Sequence, residues 1–106
     1  MKITFSQIKK IAQKIAQKYK PEKIILFGSF AWGKPKKDSD VDFLIIKNTR
    51  KNFLKRQMEV RRIIKGEIPV DILVHTPKEI ERRLKLGDFF YKKIIKKGRC
   101  LYEKPK

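Results

Sequence analysis

Cysteine is nearly absent: Cys100 stands alone, so no internal disulfide and no thiolate metal cluster can form. No base lies near it in sequence, and it reads as a small buried apolar residue rather than a nucleophile. Long apolar runs are missing too. The longest, Ile24–Phe27 and Phe43–Ile46, hold four residues each. A membrane-spanning helix needs about 20. No charged-then-apolar leader is legible behind Met1, so the expectation is a soluble, cytoplasmic protein. Acidic residues are scarce, with 11 Asp and Glu against 29 Lys and Arg. That imbalance admits an anionic partner such as nucleic acid, nucleotide or an acidic protein surface. It equally suits a charge-rich surface of thermophilic type. The basic residues are spread along the whole chain rather than gathered in a tail, which weakens a specific nucleic-acid reading.

With 106 residues the chain is expected to be one domain, 1–106, with one core and no second substrate-holding unit. Thr4 to Lys18 reads as an amphipathic helix, with Phe5, Ile8, Ala12, Ile15 and Tyr19 at three- and four-residue spacing. Pro21 ends it. Lys23–Phe27 is the first strand and Phe30–Lys37 a helical turn running into a loop. Val41–Ile46 is apolar at almost every position, as a central strand covered on both faces would be. Asn48–Lys65 reads as a helix whose face is Phe53, Gln57, Val60 and Ile64, widened by Leu54, Met58 and Ile63. Ile68–His75 is a third strand that Pro69 assigns to an edge or a strand start. Thr76, Pro77 and Glu79 spell a capping box, Asp88 caps a last helix through Lys97, and Cys100–Tyr102 is a short final strand. The expected fold is therefore α/β (α+β): one small mixed sheet with helices packed on it.

The chemistry concentrates between Ile24 and Ile46. Gly28-Ser29 follows the first strand, and ten residues later Asp40-Val41-Asp42 opens the second. Gly28 allows a sharp turn and close approach of a ligand to the backbone. Ser29 offers a hydroxyl and an N–H to a phosphate, and free N–H groups at a helix start would face the same anion. Asp40 and Asp42, two apart on a strand, point to one face about 6.6 Å apart along it. Carboxylates that close repel, and each raises the other's pKa unless a cation intervenes. Hard oxygen ligands at this spacing suit Mg²⁺. Asp71 sits mid-strand among apolar residues in Pro69-Val70-Asp71-Ile72-Leu73-Val74, where a buried carboxylate calls for a partner. If its strand lies beside the second, it joins Asp40 and Asp42 as metal ligand and general base. Otherwise it is a solvated strand-end residue. His75 carries no role beyond ending its strand. Lys34, Lys36 and Lys37 are either triphosphate contacts or a solvated loop face.

Gly28-Ser29-Phe30-Ala31-Trp32-Gly33 followed by Asp38-Ser39-Asp40-Val41-Asp42 resembles the signature of the DNA polymerase β-like nucleotidyltransferases. The small size and the ending Gly98-Arg99-Cys100-Leu101-Tyr102-Glu103 resemble the minimal nucleotidyltransferases of archaea and bacteria, and the likeness covers nearly the whole chain. The resemblance implies the polymerase β-like fold. It implies that Gly28 and Ser29 hold a triphosphate, that Asp40 and Asp42 ligate two Mg²⁺ ions and that Asp71 is the third carboxylate. It further implies ATP as the donor of AMP and a HEPN-domain protein as partner, in a toxin–antitoxin pair where this chain is the antitoxin. Phe30 and Trp32 stand where many members carry arginine, so these aromatics either pack beneath the motif or face a partner. Two other readings stay open. One is a non-catalytic binding subunit, against which the intact Ser29, Asp40, Asp42 and Asp71 set argues. The other is a transferase acting on RNA or on a small-molecule alcohol.

Overall fold

The computed structural model describes residues 2–66 and 68–105. Its elements in chain order are α1 (Phe5–Tyr19), β1 (Lys23–Phe27), α2 (Ser29–Trp32), β2 (Val41–Ile46), α3 (Phe53–Ile64), β3 (Val70–His75), α4 (Pro77–Lys85), α5 (Phe89–Lys97) and β4 (Arg99–Glu103). Thr4 caps α1 reciprocally: its hydroxyl accepts from the Gln7 N–H at 3.2 Å and Gln7 Oε1 accepts from the Thr4 N–H at 2.8 Å. Thr76 and Glu79 do the same for α4, at 3.1 and 2.8 Å, as their spacing predicts. Asp88 caps α5.

The strands form one sheet in the order β3-β2-β1-β4. β1 pairs antiparallel with β2 and with β4, while β2 and β3 run parallel and are joined by α3. β2 is thus central, and β3 is the edge that Pro69 implied. Alternation along each strand divides the side chains between two layers. Ile24, Leu26, Val41, Phe43, Ile45, Val70, Ile72 and Val74 meet α1 and α3 on one face. Ile25, Phe27, Leu44 and Ile46 meet Ile80 of α4 and Tyr91 and Ile94 of α5 on the other. Asp42 alternates with Val41 and Phe43, so it belongs to the α5 side. Asp71, between Val70 and Ile72, belongs to the same side.

Three expectations change. Helix α3 begins at Phe53 rather than Asn48, because the Asn52 side chain accepts from the Lys55 N–H at 3.0 Å and caps the helix there. The residues expected to widen its core face, Leu54 and Met58, are exposed, as is Phe53; Val60 and Ile64 carry the packing. Cys100 is exposed on the edge strand β4, not buried.

The buried place on α3 beside β3 is taken instead by Arg56, 8% exposed. Its Nε donates to Lys51 O at 2.8 Å, and its Nη1 donates to Val74 O at 3.2 Å and to Glu79 Oε1 at 2.8 Å. Burial pushes Glu79 up, but hydrogen bonds from Arg56 and the Thr76 backbone, with the Arg56 charge, outweigh it and hold Glu79 at about 2. The group is therefore depressed relative to the unfolded chain. Its contribution to stability is present above pH 4.5 and is lost as pH falls toward 2. Replacing Arg56 with Met strands two carbonyls. The expected loss is about 2–3 kcal/mol, below the roughly 3–5 kcal/mol of breaking a fully buried pair. The smaller figure follows because Glu79 keeps 44% side-chain exposure. Urea unfolding checks this: the deficit should be large at pH 7 and shrink near pH 2.5. A deficit independent of pH would mean that the Glu79 contact contributes nothing.

Candidate active site

Strand β1 ends at Phe27, whose antiparallel partner is Asp42. Gly28 then turns the chain with φ +78° and ψ −158°, a region that only glycine occupies without strain. A side chain here would also collide with Asp42 Oδ2. The turn and the carboxylate are therefore fitted to each other. Its carbonyl accepts from the N–H groups of Ala31 and Trp32 at 2.9 and 3.0 Å, closing the one-turn helix α2 directly on the glycine. Ser29 opens that helix and is half-buried. The N–H groups at such a start have no intrahelical acceptor.

The loop returns to the sheet through a closed turn, in which the Lys36 N–H donates to Ser39 Oγ at 2.7 Å and the Ser39 N–H to Lys36 O at 3.0 Å. Asp40 follows, exposed and outside the strand, because β2 begins at Val41. The Val41 N–H reaches Pro69 O at 3.0 Å and sets the parallel register. That register places Asp42 beside Asp71, on neighbouring strands about 4.8 Å apart. Burial pushes the Asp42 carboxyl up, and the negative charges of Asp71 and Asp40 push it further, to about 6. The charges of both Asp71 and Asp40 are thus felt at Asp42. Asp71, however, is exposed. The expectation that it is a buried carboxylate in need of a partner is corrected. It joins the site because the register brings it beside Asp42, at the second position of an edge strand.

Asp42 and Asp71 share a cleft of about 450 Å³ with Gly28, Phe27, Trp32, Ile72, Leu73, Phe90 and Tyr91. Ser29 and Asp40 stand outside its wall. Among the described residues no three His, Cys, Asp or Glu side chains close around a single point. Lys36 and Lys37 are exposed and border a separate groove with Lys2, Ile3, Phe30 and Pro35. Phe30 packs against the α1–α3 core, as expected of an aromatic under the motif. Trp32 packs against the opposite core and also lines the cleft.

Sequence reasoning missed the aromatic wall. Phe27 lies 6.3 Å from Trp32 and meets Phe90 edge-on at 5.7 Å, and Phe90 meets Tyr91 edge-on at 5.3 Å. The Tyr91 hydroxyl is 2.8 Å from His75 Nε2, and His75 Nδ1 is 3.3 Å from Glu79 Oε1. Burial pushes His75 below its ordinary value, against the pull of Glu79. His75 is therefore part of the cleft's support and more than a strand terminus. The apolar period of α5 signals an amphipathic helix, but no local pattern says that Phe90 and Tyr91 return to Phe27.

No helix is long and apolar enough to cross a membrane among the described residues. A Methanocaldococcus jannaschii protein named "Putative protein adenylyltransferase" is 26% identical to this chain over 97 residues, covering 90% of this chain and 94% of that protein. A crystal structure described as "a putative nucleotidyltransferase from Sulfolobus solfataricus" has the same fold, with a TM-score of 0.66 at 24% identity, over 92% of this chain and 78% of the other. The nucleotidyltransferase domain family matches residues 8–101, from α1 into β4, and spans the Gly28 turn and all three acidic positions. By that match, which covers most of the chain, the chain belongs to the nucleotidyltransferase domain family.

Proposed function

We propose that the cleft transfers AMP from ATP to a hydroxyl of a partner protein, with Mg²⁺ held by Asp40, Asp42 and Asp71. The observation that carries this reading is the parallel pairing of Asp42 with Asp71 directly beside the Gly28 turn. The donor set is all hard oxygen, which suits magnesium. The raised proton affinity of Asp42 marks a concentration of negative charge that a cation would relieve. As the three carboxylates stand, they would be drawn together by the ion and are not a finished cage. When bound, magnesium supplies charge neutralisation at the triphosphate and at the attacking oxygen.

In this reading the chain's own residues do the rest. Gly28 lets the backbone approach the triphosphate, and Ser29 offers it a hydroxyl and an N–H. Asp71, exposed at the sheet edge, receives the proton of the acceptor hydroxyl. The acceptor oxygen bonds to the α-phosphorus, the bond from that phosphorus to the bridging oxygen breaks, and pyrophosphate leaves. A protein acceptor is supported by the printed name of the Methanocaldococcus relative. The partner in this reading is a HEPN-domain protein and the chain is its antitoxin, acting as one subunit of a hetero-oligomer in the cytoplasm. That assignment rests on the resemblance to the minimal nucleotidyltransferases.

Labelled ATP and Mg²⁺ with a HEPN protein, RNA and small alcohols as acceptors test it. Label should reach the HEPN protein and vanish with Asp40→Ala or Asp42→Ala. Neutralisation that persists in those variants would make the chain a non-catalytic binding subunit. Label on RNA would redirect the function to nucleic acid, as the basic surface allows.

A further inference from the structure

The cleft has two unlike flanks. The sheet order β3-β2-β1 sets Asp71 on one side of Asp42, and Phe27 with Trp32 and Phe90 on the other. Phe90 is 50% exposed although it lies against a packed core. Its contacts with Phe27 and Tyr91 are edge-to-face, at interplanar angles of 87° and 84°, and the exposed remainder of the side chain lines the cleft. The indole of Trp32 is half-buried, and the Lys93 ammonium sits 4.7 Å from its ring centre. Lys93 is exposed, and a solvent-exposed cation–π contact is weak, so a flat ligand can replace the ammonium over the ring. The cleft's volume of about 450 Å³ lies within the roughly 300–1,000 Å³ of small-molecule sites.

We propose that Trp32 and Phe90 form the platform on which the base of the donor nucleotide stacks, with Lys93 swinging from the indole to a phosphate. This rests on the nucleotidyl-transfer reading above. A nucleotide whose α-phosphate sits at Asp42 has its base one sugar away. The Asp71 flank is reserved for the acceptor hydroxyl, so the aromatic flank receives the base. Every base presents a flat π-face, so such a platform accepts the ring without demanding one base. A ring on the acceptor could use the same surface, and the test separates the two sources.

Trp32 is the chain's only tryptophan, so its fluorescence reports the platform directly. Mg-ATP should quench it saturably, with the midpoint that calorimetry gives for binding, and by clearly more than Mg-tripolyphosphate, which can only draw Lys93 off the indole. Trp32→Ala and Phe90→Ala should each weaken Mg-ATP binding roughly five- to hundred-fold. They should leave tripolyphosphate binding unchanged, and Trp32→Phe should recover most of the loss. Unchanged far-ultraviolet dichroism and a cooperative melt show that the variants fold; if Phe90→Ala does not, Trp32→Phe against Trp32→Ala carries the comparison. Mg-ATP binding that ignores both positions, or no tighter than tripolyphosphate, overturns the platform and leaves nucleotidyl transfer standing. Quenching by tyrosine amide but not by ATP assigns the surface to the acceptor and overturns it as well. Absence of binding by either ATP or tripolyphosphate removes the platform and the transfer reading together.

Discussion

With magnesium held as proposed, Asp42→Asn should all but abolish transfer and at the same time make the magnesium-free protein more stable above pH 6. The two effects have one source. Burial disfavours the charge of Asp42, and the negative charges of Asp71 and Asp40 disfavour it further, which together lift its pKa to about 6. Holding a metal against a triphosphate provides several kcal/mol of charge stabilisation. At about 1.4 kcal/mol per tenfold, losing that ligand should slow transfer by roughly a thousandfold or more.

The stability effect follows from linkage. The folded state keeps the Asp42 proton up to about pH 6, whereas the unfolded chain releases it near 3.8. The wild type is therefore favoured by this residue below pH 3.8 and loses that favour as pH rises through 6. Asparagine carries no such charge. Its advantage should be absent near pH 4, develop between pH 4 and 6, and hold at pH 8. Asp42 is only partly buried, so solvent screening keeps the gain modest. Thermal melts in chelator at pH 4, 5.5 and 8 read this out. Magnesium should raise the melting temperature of the wild type at pH 8 and do so less in the variant. A variant less stable than wild type at pH 8 in chelator would show that Asp42 is a structural anchor rather than a group held at a cost for function.

Gly28→Ala is the second change with a large expected effect. The added methyl meets Asp42 from three sides: it would collide with Oδ2 and lie 3.1 Å from Cγ and 3.4 Å from Cβ. The φ of +78° and ψ of −158° add backbone strain of about 1–3 kcal/mol for a residue with a side chain. The backbone of Asp42 cannot retreat, because β2 is an inner strand paired on both sides, so relief must come from rotation of the carboxyl group. The total should reach about 2–4 kcal/mol, a fall in melting temperature of roughly 10–20 °C for a domain of this size. Transfer should drop as far as in Asp42→Asn, since relief of the clash turns the carboxylate out of the cleft. Adding Asp42→Ala should return part of the lost stability, giving a coupling of at least about 1 kcal/mol. Strict additivity of the two changes would show that the turn and the carboxylate are independent.

The motif was legible because it is local. Gly28, Ser29, Asp40 and Asp42 lie within one loop and its flanking strands, and glycine at a sharp turn or two carboxylates at alternate positions carry meaning at short range. Even so, only part of the geometry follows from spacing. Asp40 was expected on the strand beside Asp42 but precedes it, because pairing begins where the Val41 N–H finds Pro69 O. Asp71 was singled out for burial that it does not have, and it belongs to the site through register. On α3, apolar spacing suggested a face including Leu54 and Met58, yet both are exposed while Arg56 is buried. A hydrophobic period cannot anticipate an arginine whose Nε and Nη1 find acceptors on β3, α4 and the loop before its own helix.

By itself the sequence determined the order of the elements, the caps of α4 and α5, the glycine turn and the identity of the acidic residues. Each of these depends on interactions within a few residues, where propensity and hydrogen bonding are local. The tertiary structure alone decided that β3 lies parallel beside β2 with Asp71 against Asp42, and that α5 brings Phe90 and Tyr91 over Phe27 and Trp32. Those contacts join residues far apart in the chain. A one-residue slip of any strand would have sent the same side chains to the opposite face.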